Sequence, residues 1–145
     1  MSIFVLMGRI MAIDYGSKRV GIAVTDPLRI IANGLDTIHS KDVIEYIKQY
    51  IAKEIVDIIV VGLPKTLLNK GSDSQRFIEP FVKHLIKTFP NIEIERFDER
   101  FTSSIAQQAM ILGGMSKKDR KIKENVDRIS ATLILQDYME FIKNR

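Results

Sequence analysis

Apolar residues fall into two spacings along the chain, and the first spacing predicts five β-strands. Continuous apolar runs at 10–13 and 57–62 are typical of strands that are buried on both faces. The segments 20–25 and 30–38 are apolar and β-branched, and 92–97 alternates apolar with charged residues as an edge strand does. Because short links such as Asp26-Pro27 join the first three strands, we predict an antiparallel meander there.

The second spacing is helical and predicts four helices. The first helix begins after Ser40, its expected N-cap, and ends near Lys53. The second covers about 77–89, where Pro80 predicts either a first-turn position or a kink. The last two are a short helix capped by Thr102 and a long helix from about Ile122 to Ile142.

The order of these elements, βββαβαβαα, predicts an α/β fold. The strand at 57–62 closely follows the first helix, so we expect it to lie parallel to the strand at 10–13. The sheet is therefore predicted to be mixed, with five strands and with helices on both faces.

Length and composition narrow the class of protein. A chain of 145 residues predicts a single domain, residues 1–145, with a sizeable core. No apolar run approaches the roughly 20 residues that cross a bilayer, and the first residues lack the basic start of a secretory signal, so we expect a cytoplasmic location. The absence of cysteine excludes disulfides and thiolate chemistry.

Positive charge is concentrated late in the chain. The formal net charge is +4, and the segment Lys117–Arg128 contributes +3 of it, from six basic and three acidic residues. Such a cluster is either a patch that binds a polyanion or the solvated face of a helix.

Three acidic residues lie at strand ends or in the last helix, where they could form a catalytic site. Asp14 ends the first strand, Glu99 follows the last strand, and Asp127 lies one turn before Ala131 in the final helix. Converging carboxylates repel one another unless a cation holds them, and Mg²⁺ or Mn²⁺ prefers such oxygen ligands. Two such ions roughly 4 Å apart would support phosphodiester hydrolysis. The alternative is an ordinary strand-end aspartate, a turn glutamate and a helix salt bridge.

Four motifs in order resemble one known family. They are Asp14 through Asp26 (DYGSKRVGIAVTD), Val60–Pro64 (VVGLP), Asp98–Ser103 (DERFTS) and Asp127 through Tyr138. From Met7 onward the chain resembles the YqgF family, also called the RuvX or pre-16S rRNA nuclease family, within the RNase H-like superfamily. The resemblance implies an RNase H-like fold and a metal-dependent nuclease that matures the ends of 16S rRNA on the ribosomal precursor.

Site residues follow from that resemblance. It implies that Asp14, Glu99 and Asp127 are the catalytic and metal-binding acids, with Asp98 as the substitute for Glu99. Arg19, Arg100 and Lys123 would then bind substrate phosphates or order the site, unless they only form salt bridges to the acids. The chain departs from the family pattern after Pro64, where Lys65–Gly71 is longer and lacks the usual acid.

Three other functions are compatible with parts of the sequence. A Holliday junction resolvase-like enzyme would cut branched DNA with the same acids. A non-catalytic module would bind structured RNA through the basic segment alone. An actin-like or sugar-kinase ATPase would use Asp14 to Ser17 as a phosphate loop, but such enzymes need a duplicated domain, which 145 residues do not supply.

Overall fold

A mixed five-stranded sheet forms the centre of the molecule. The computed structural model describes residues 8–16, 18–63, 72–98 and 123–143, with the backbone alone at 63, 72–77, 98 and 123–127. The strands, in chain order, are β1 (Arg9–Tyr15), β2 (Arg19–Thr25), β3 (Ala32–His39), β4 (Val56–Leu63) and β5 (Glu93–Asp98). They lie in the order β3-β2-β1-β4-β5.

The pairing of the strands confirms the predicted mixture of directions. β1, β2 and β3 form an antiparallel meander, whereas β4 pairs parallel with both β1 and β5. Residues 10–13 of β1 are completely buried, as expected for a central strand covered on both faces. β5 is an edge strand of the described sheet, as its alternating charges predict.

Helices cover both faces, as predicted. The helices described are α1 (Val43–Ile51), α2 (Ser72–Thr88) and α3 (Lys123–Lys143). α1 and α2 pack on one face through Val43, Ile47, Phe81 and Leu85, together with Met11 and Ile13 of β1. On the other face, α3 packs through Ala131, Ile134, Leu135 and Tyr138, against Ile10 and Ala12. Because strand residues alternate, even-numbered residues of β1 face α3.

Local details differ from several of the sequence predictions. Ser40 does not cap α1, because Ser40–Asp42 forms a 3-10 turn and Asp42 is the N-cap residue, without a side-chain hydrogen bond. The imidazole of His39 caps the 3-10 turn by accepting from the backbone N–H of Lys41. α1 ends at Ile51 rather than near Lys53, because the last backbone bonds tighten into a turn.

The third difference concerns where β3 begins. The strand starts at Ala32 and not at Ile30, because the preceding residues form a loop around the carboxylate of Asp26. α2 begins at Ser72 rather than near residue 77, so Pro80 lies well inside the helix and not in its first turn. The predicted short helix after Thr102 lies outside the described residues.

Candidate active site

Asp14 lies at the carboxyl end of β1, on the face that α3 covers. It follows Ala12 by two residues, and Ala12 packs in the same cluster as Ala131 and Ile134 of α3. The carboxylate-bearing residue is half-buried, unlike the fully buried residues before it. The sequence therefore placed Asp14 correctly at the end of a central strand.

Glycines occupy the positions beside Asp14 on both neighbouring strands. Asp14 pairs with Gly21 of β2. On the other side, Ile13 pairs with Val61 of β4, and Gly62 is the next residue along. Neither glycine contributes a side chain, so the strands that flank Asp14 leave the space beside its carboxylate to other groups. The space between the two glycines would allow an ion or a phosphate to approach the carboxylate.

α3 lies close to the sheet near Asp14 because the neighbouring row of paired strand residues has small side chains. Ala12 pairs with Ala23, and Ala23 pairs with Gly34 of β3. A Cβ built on Gly34 would lie 2.6 Å from Cγ of Arg128. The absence of a side chain at Gly34 therefore allows the first turns of α3 to rest on β3.

The direction of α3 brings its first residues toward Asp14. Near its carboxyl end, Met139 and Ile142 line a groove with Ile10, at the beginning of β1. Arg128, near its amino end, packs over the row of Ala12, one step before Asp14. α3 therefore runs antiparallel to β1. The backbone position of Asp127 lies in this amino-terminal part, one turn before the buried Ala131.

The structure describes some of the other predicted site residues only in part. Asp98 is the last residue of β5 and Lys123 is the first of α3, and for both only the backbone is described. Glu99 and Arg100, and the basic segment from Lys117 up to α3, lie outside the described residues. Among the described side chains, no group of three acids or histidines is close enough to hold a metal ion. The side chains of Glu99 and Asp127 are not among the described ones, so convergence of the acids stays a prediction.

The β1–β2 hairpin brings Arg19 to the same face as Asp14. Arg19 begins β2, two residues before Gly21, so alternation places it on the α3 side, where it is half-buried. The turn depends on Gly16, whose hypothetical Cβ would lie 2.7 Å from the carbonyl oxygen of Arg19. No described glycine has a positive φ. Close packing is the reason for glycine at position 16.

The sequence predicts no role for two residues that lie beside Asp14. Tyr15 turns to the opposite face, where its ring stacks on Phe81, and burial raises the pKa of its phenol. Gly62 belongs to a recognised motif, yet only the strand order brings it beside Asp14. A signal for Gly62 exists in the sequence, because a glycine that interrupts the apolar end of a strand often marks a close approach.

The architecture defines the class of protein. A meander of three antiparallel strands extended by two parallel strands, with helices on both faces and an acid ending the central strand, is an α/β protein of the RNase H-like kind. A family model described as RuvX, Holliday junction resolvase, matches residues 8–141. The chain belongs to this family.

Curated relatives from several bacteria agree with this assignment. A protein of Phocaeicola vulgatus is 54% identical over 134 residues, covering 92% of this chain and 96% of the relative. Relatives from Bacteroides thetaiotaomicron, at 52% identity, and Flavobacterium johnsoniae, at 49%, cover 92% of this chain and 97% and 96% of their own lengths. All three are named as candidate pre-16S rRNA nucleases. None of the described helices has the length and apolar character to span a membrane.

Proposed function

We propose that this protein is a metal-dependent nuclease that matures the end of precursor 16S rRNA. The family and the relatives' names indicate the enzyme class, a hydrolase of phosphodiester bonds. One structural observation carries the site: Asp14 lies between Gly21 and Gly62, on the face where α3 begins. The whole chain would act as one domain in the cytoplasm, where ribosomal precursors are processed.

The donor set fits a hard divalent cation. Asp14 supplies a carboxylate at a strand end where both lateral neighbours lack side chains. Asp14, Glu99 and Asp127 would hold Mg²⁺ or Mn²⁺, which prefer carboxylate oxygens. When bound, such an ion lowers the pKa of water and stabilises charge on a phosphodiester. No histidine or cysteine is required for this chemistry.

The second acid of this proposal is Glu99, with Asp98 as the substitute. Both follow Phe97 in the chain, and Phe97 packs with Tyr138 of α3 on the face of Asp14.

Basic residues would bind the phosphates of the substrate. Arg19 shares the face of Asp14, and a guanidinium can hold two phosphate oxygens at once. Arg100 and Lys123 would contribute further positive charge, and α3 begins at Lys123. A phosphate-binding surface of this kind makes affinity fall with salt.

A four-way DNA junction is the second candidate substrate, because the family model is described as a Holliday junction resolvase. The names of the relatives favour RNA. Both substrates are compatible with the same acids, since the reacting bond is a phosphodiester in each.

The test is cleavage of a labelled 16S rRNA precursor and of a four-way DNA junction, each with Mg²⁺, Mn²⁺ or a chelator. The wild type is compared with Asp14→Asn and with Asp42→Asn, a matched change at an exposed position before α1. We expect Asp14→Asn and the chelator each to lower the rate by at least about a hundredfold. We expect Asp42→Asn to cleave like the wild type.

Each other outcome has a defined meaning. Cleavage of the junction alone would replace RNA by branched DNA as the substrate. Equal cleavage by wild type and Asp14→Asn would contradict the proposed site. Salt-sensitive RNA binding without any cleavage, unchanged by the chelator, would replace the nuclease by a binding module.

A further inference from the structure

Basic residues lie beside Asp14 at the edge of the sheet where β1 and β3 end and β2 begins. Lys18 directly precedes β2, Arg19 is its first residue, and His39 is the last residue of β3. Lys41 follows in the 3-10 turn. These two short segments bring three cations and an imidazole to one edge, which makes the surface next to Asp14 positively charged.

The register of the strands places Asp14, Arg19 and His39 in one line on the same face of the sheet. Asp14 pairs with Gly21, so Arg19, two residues before Gly21, is its diagonal neighbour at about 7–8 Å. His39 pairs directly with Arg19, and the preceding Ile38 packs with the cluster on the opposite face. The line therefore extends roughly 12 Å from the candidate active site to the last residue of β3.

A backbone hydrogen bond holds the two basic segments together. The N–H of Ser40, directly after β3, donates to the carbonyl oxygen of Lys18 at 2.9 Å. The side chains of Lys18 and Lys41 are both exposed at this junction. Because the backbone that carries them is fixed, binding of an anion would order only the two side chains.

The ring of His39 has a defined orientation between these cations. Its Nδ1 accepts from the backbone N–H of Lys41 at 3.1 Å. A neutral imidazole that accepts at Nδ1 carries its proton on Nε2 and donates from there. His39 is exposed, so this edge offers a neutral hydrogen-bond donor together with the positive charge of the lysines.

We propose that Lys18, His39 and Lys41 bind phosphates of the substrate strand beyond the bond that is cut near Asp14. The inference rests on the proposed nuclease function and gives the substrate a direction, from Asp14 past Arg19 toward the end of β3. A line of roughly 12 Å is long enough for a few nucleotides of backbone. Contacts of this kind position a strand without selecting its bases.

Binding of a short labelled oligouridine tests the lysines. Fluorescence anisotropy is measured in chelator, which prevents metal-dependent cleavage, at several salt concentrations and at about pH 8, where imidazole is ordinarily neutral. Lys18→Gln with Lys41→Gln should weaken binding about tenfold. The slope of log affinity against log salt should become shallower by about 1.4, or about 0.7 for each phosphate contact that is lost.

The matched control is Lys53→Gln with Lys87→Gln, which removes the same charge from two exposed lysines. They precede β4 and β5, so they lie toward the opposite edge of the sheet, where these strands and β1 begin. We expect the control to change affinity about twofold or less and to keep the salt slope of the wild type.

His39→Asn tests the neutral donor separately. Asparagine keeps an oxygen that can accept from the backbone N–H of Lys41 and so preserves the cap. It lacks the Nε2–H of the ring. We expect affinity to fall about threefold with an unchanged salt slope, because loss of a neutral hydrogen bond releases no counterion.

The outcomes separate this surface from the proposed active site. Wild-type affinity and slope in the Lys18 and Lys41 variant, an equal loss in the control, or no binding of oligouridine by the wild type would overturn the proposal. Weakened binding by that variant, together with wild-type cleavage of precursor rRNA by Asp14→Asn, would uphold the surface and reject the catalytic site. Loss of cleavage in Asp14→Asn with undiminished binding by the lysine variant would reject the surface alone.

Discussion

The ring of Tyr15 stacks on that of Phe81, with centroids 4.1 Å apart and planes inclined by 19°. Tyr15 ends β1 and directly follows Asp14, so the two side chains turn to opposite faces of the sheet. This contact packs the end of β1 against α2. It thereby keeps the side chain of Asp14 on the opposite face, which α3 covers. Packing on one face thus supports the candidate site on the other.

Removal of this stack should destabilise the protein. We expect Tyr15→Ala to lower the free energy of unfolding by about 2 kcal/mol, because a half-buried aromatic ring and its partner lose their contact. Tyr15→Phe keeps the ring and should cost about 0.5 kcal/mol or less. Urea denaturation of the three proteins measures the difference. Equal losses for the two variants would contradict a role for the stack.

Gly34 should be sensitive to the smallest enlargement. In Gly34→Ala, the new methyl group would meet Cγ of Arg128 at 2.6 Å, so either the Arg128 side chain must change its rotamer or the start of α3 must move away from β3. We expect a loss of about 1 to 3 kcal/mol in unfolding free energy, measured in urea. Asn33→Ala, at the exposed neighbouring position, is the control and should change stability by about 0.5 kcal/mol or less.

The same substitution also tests the link between α3 and the candidate site. Because α3 carries Asp127, displacement of its first turns should reduce cleavage by the folded Gly34→Ala protein. If the Gly34→Ala protein is destabilised but cleaves at the wild-type rate, the packing of α3 on β3 is not needed for cleavage.

The lowered pKa of Asp26 leads us to expect that its contribution to folding stability is lost at acid pH. Backbone hydrogen bonds, above all from Ile31, lower the pKa of its carboxyl below the ordinary value of 3.8. A lowered pKa in the folded state contributes stability above the ordinary value, and this contribution is lost as the pH falls through the folded value. We expect Asp26→Ala to lower the melting temperature at pH 7 by about 3 °C, and by progressively less below pH 4.

The matched control is Asp42→Ala, since the side chain of Asp42 makes no capping hydrogen bond to α1. Its melting temperature should follow that of the wild type at both pH values. A constant difference between Asp26→Ala and the wild type, from pH 7 to acid, would contradict the assigned role of the carboxylate.

The raised pKa of Tyr46 leads us to expect a loss of folding stability at high pH. Burial, followed by the charge of Asp36 and a hydrogen bond to it, raises the pKa of Tyr46 from 10.0 to about 12. The resulting contribution to stability is complete below pH 10 and is lost as the pH rises toward 12. In an ultraviolet titration of phenolate, Tyr46→Phe should remove a group that ionises near pH 12. Removal of a group that ionises near 10 would contradict the environment described for Tyr46.

Much of the fold could be predicted because the spacing of apolar residues in each strand or helix indicates which of its faces are buried. The apolar runs of β1 and β4 identify central strands, and the stripe of α1 identifies an amphipathic helix. Element boundaries were less predictable where distant groups intervene. His39 caps a 3-10 turn ahead of α1, and the Asp26 carboxylate draws Ile30 and Ile31 out of β3.

Asp14 lies where the sequence predicts it, and the convergence of Glu99 and Asp127 on it stays a prediction. The sequence alone determined that Asp14 ends a buried strand, because local hydrophobicity sets burial. Only the tertiary structure decided that Gly21 and Gly62 flank Asp14, that α3 starts on its face, and that Tyr15 is fastened to Phe81 behind it. These relationships join residues far apart in the chain, and they depend on which strands become neighbours and which face each helix covers. Long-range packing makes that choice, because a strand's own pattern specifies a buried face but not its partner.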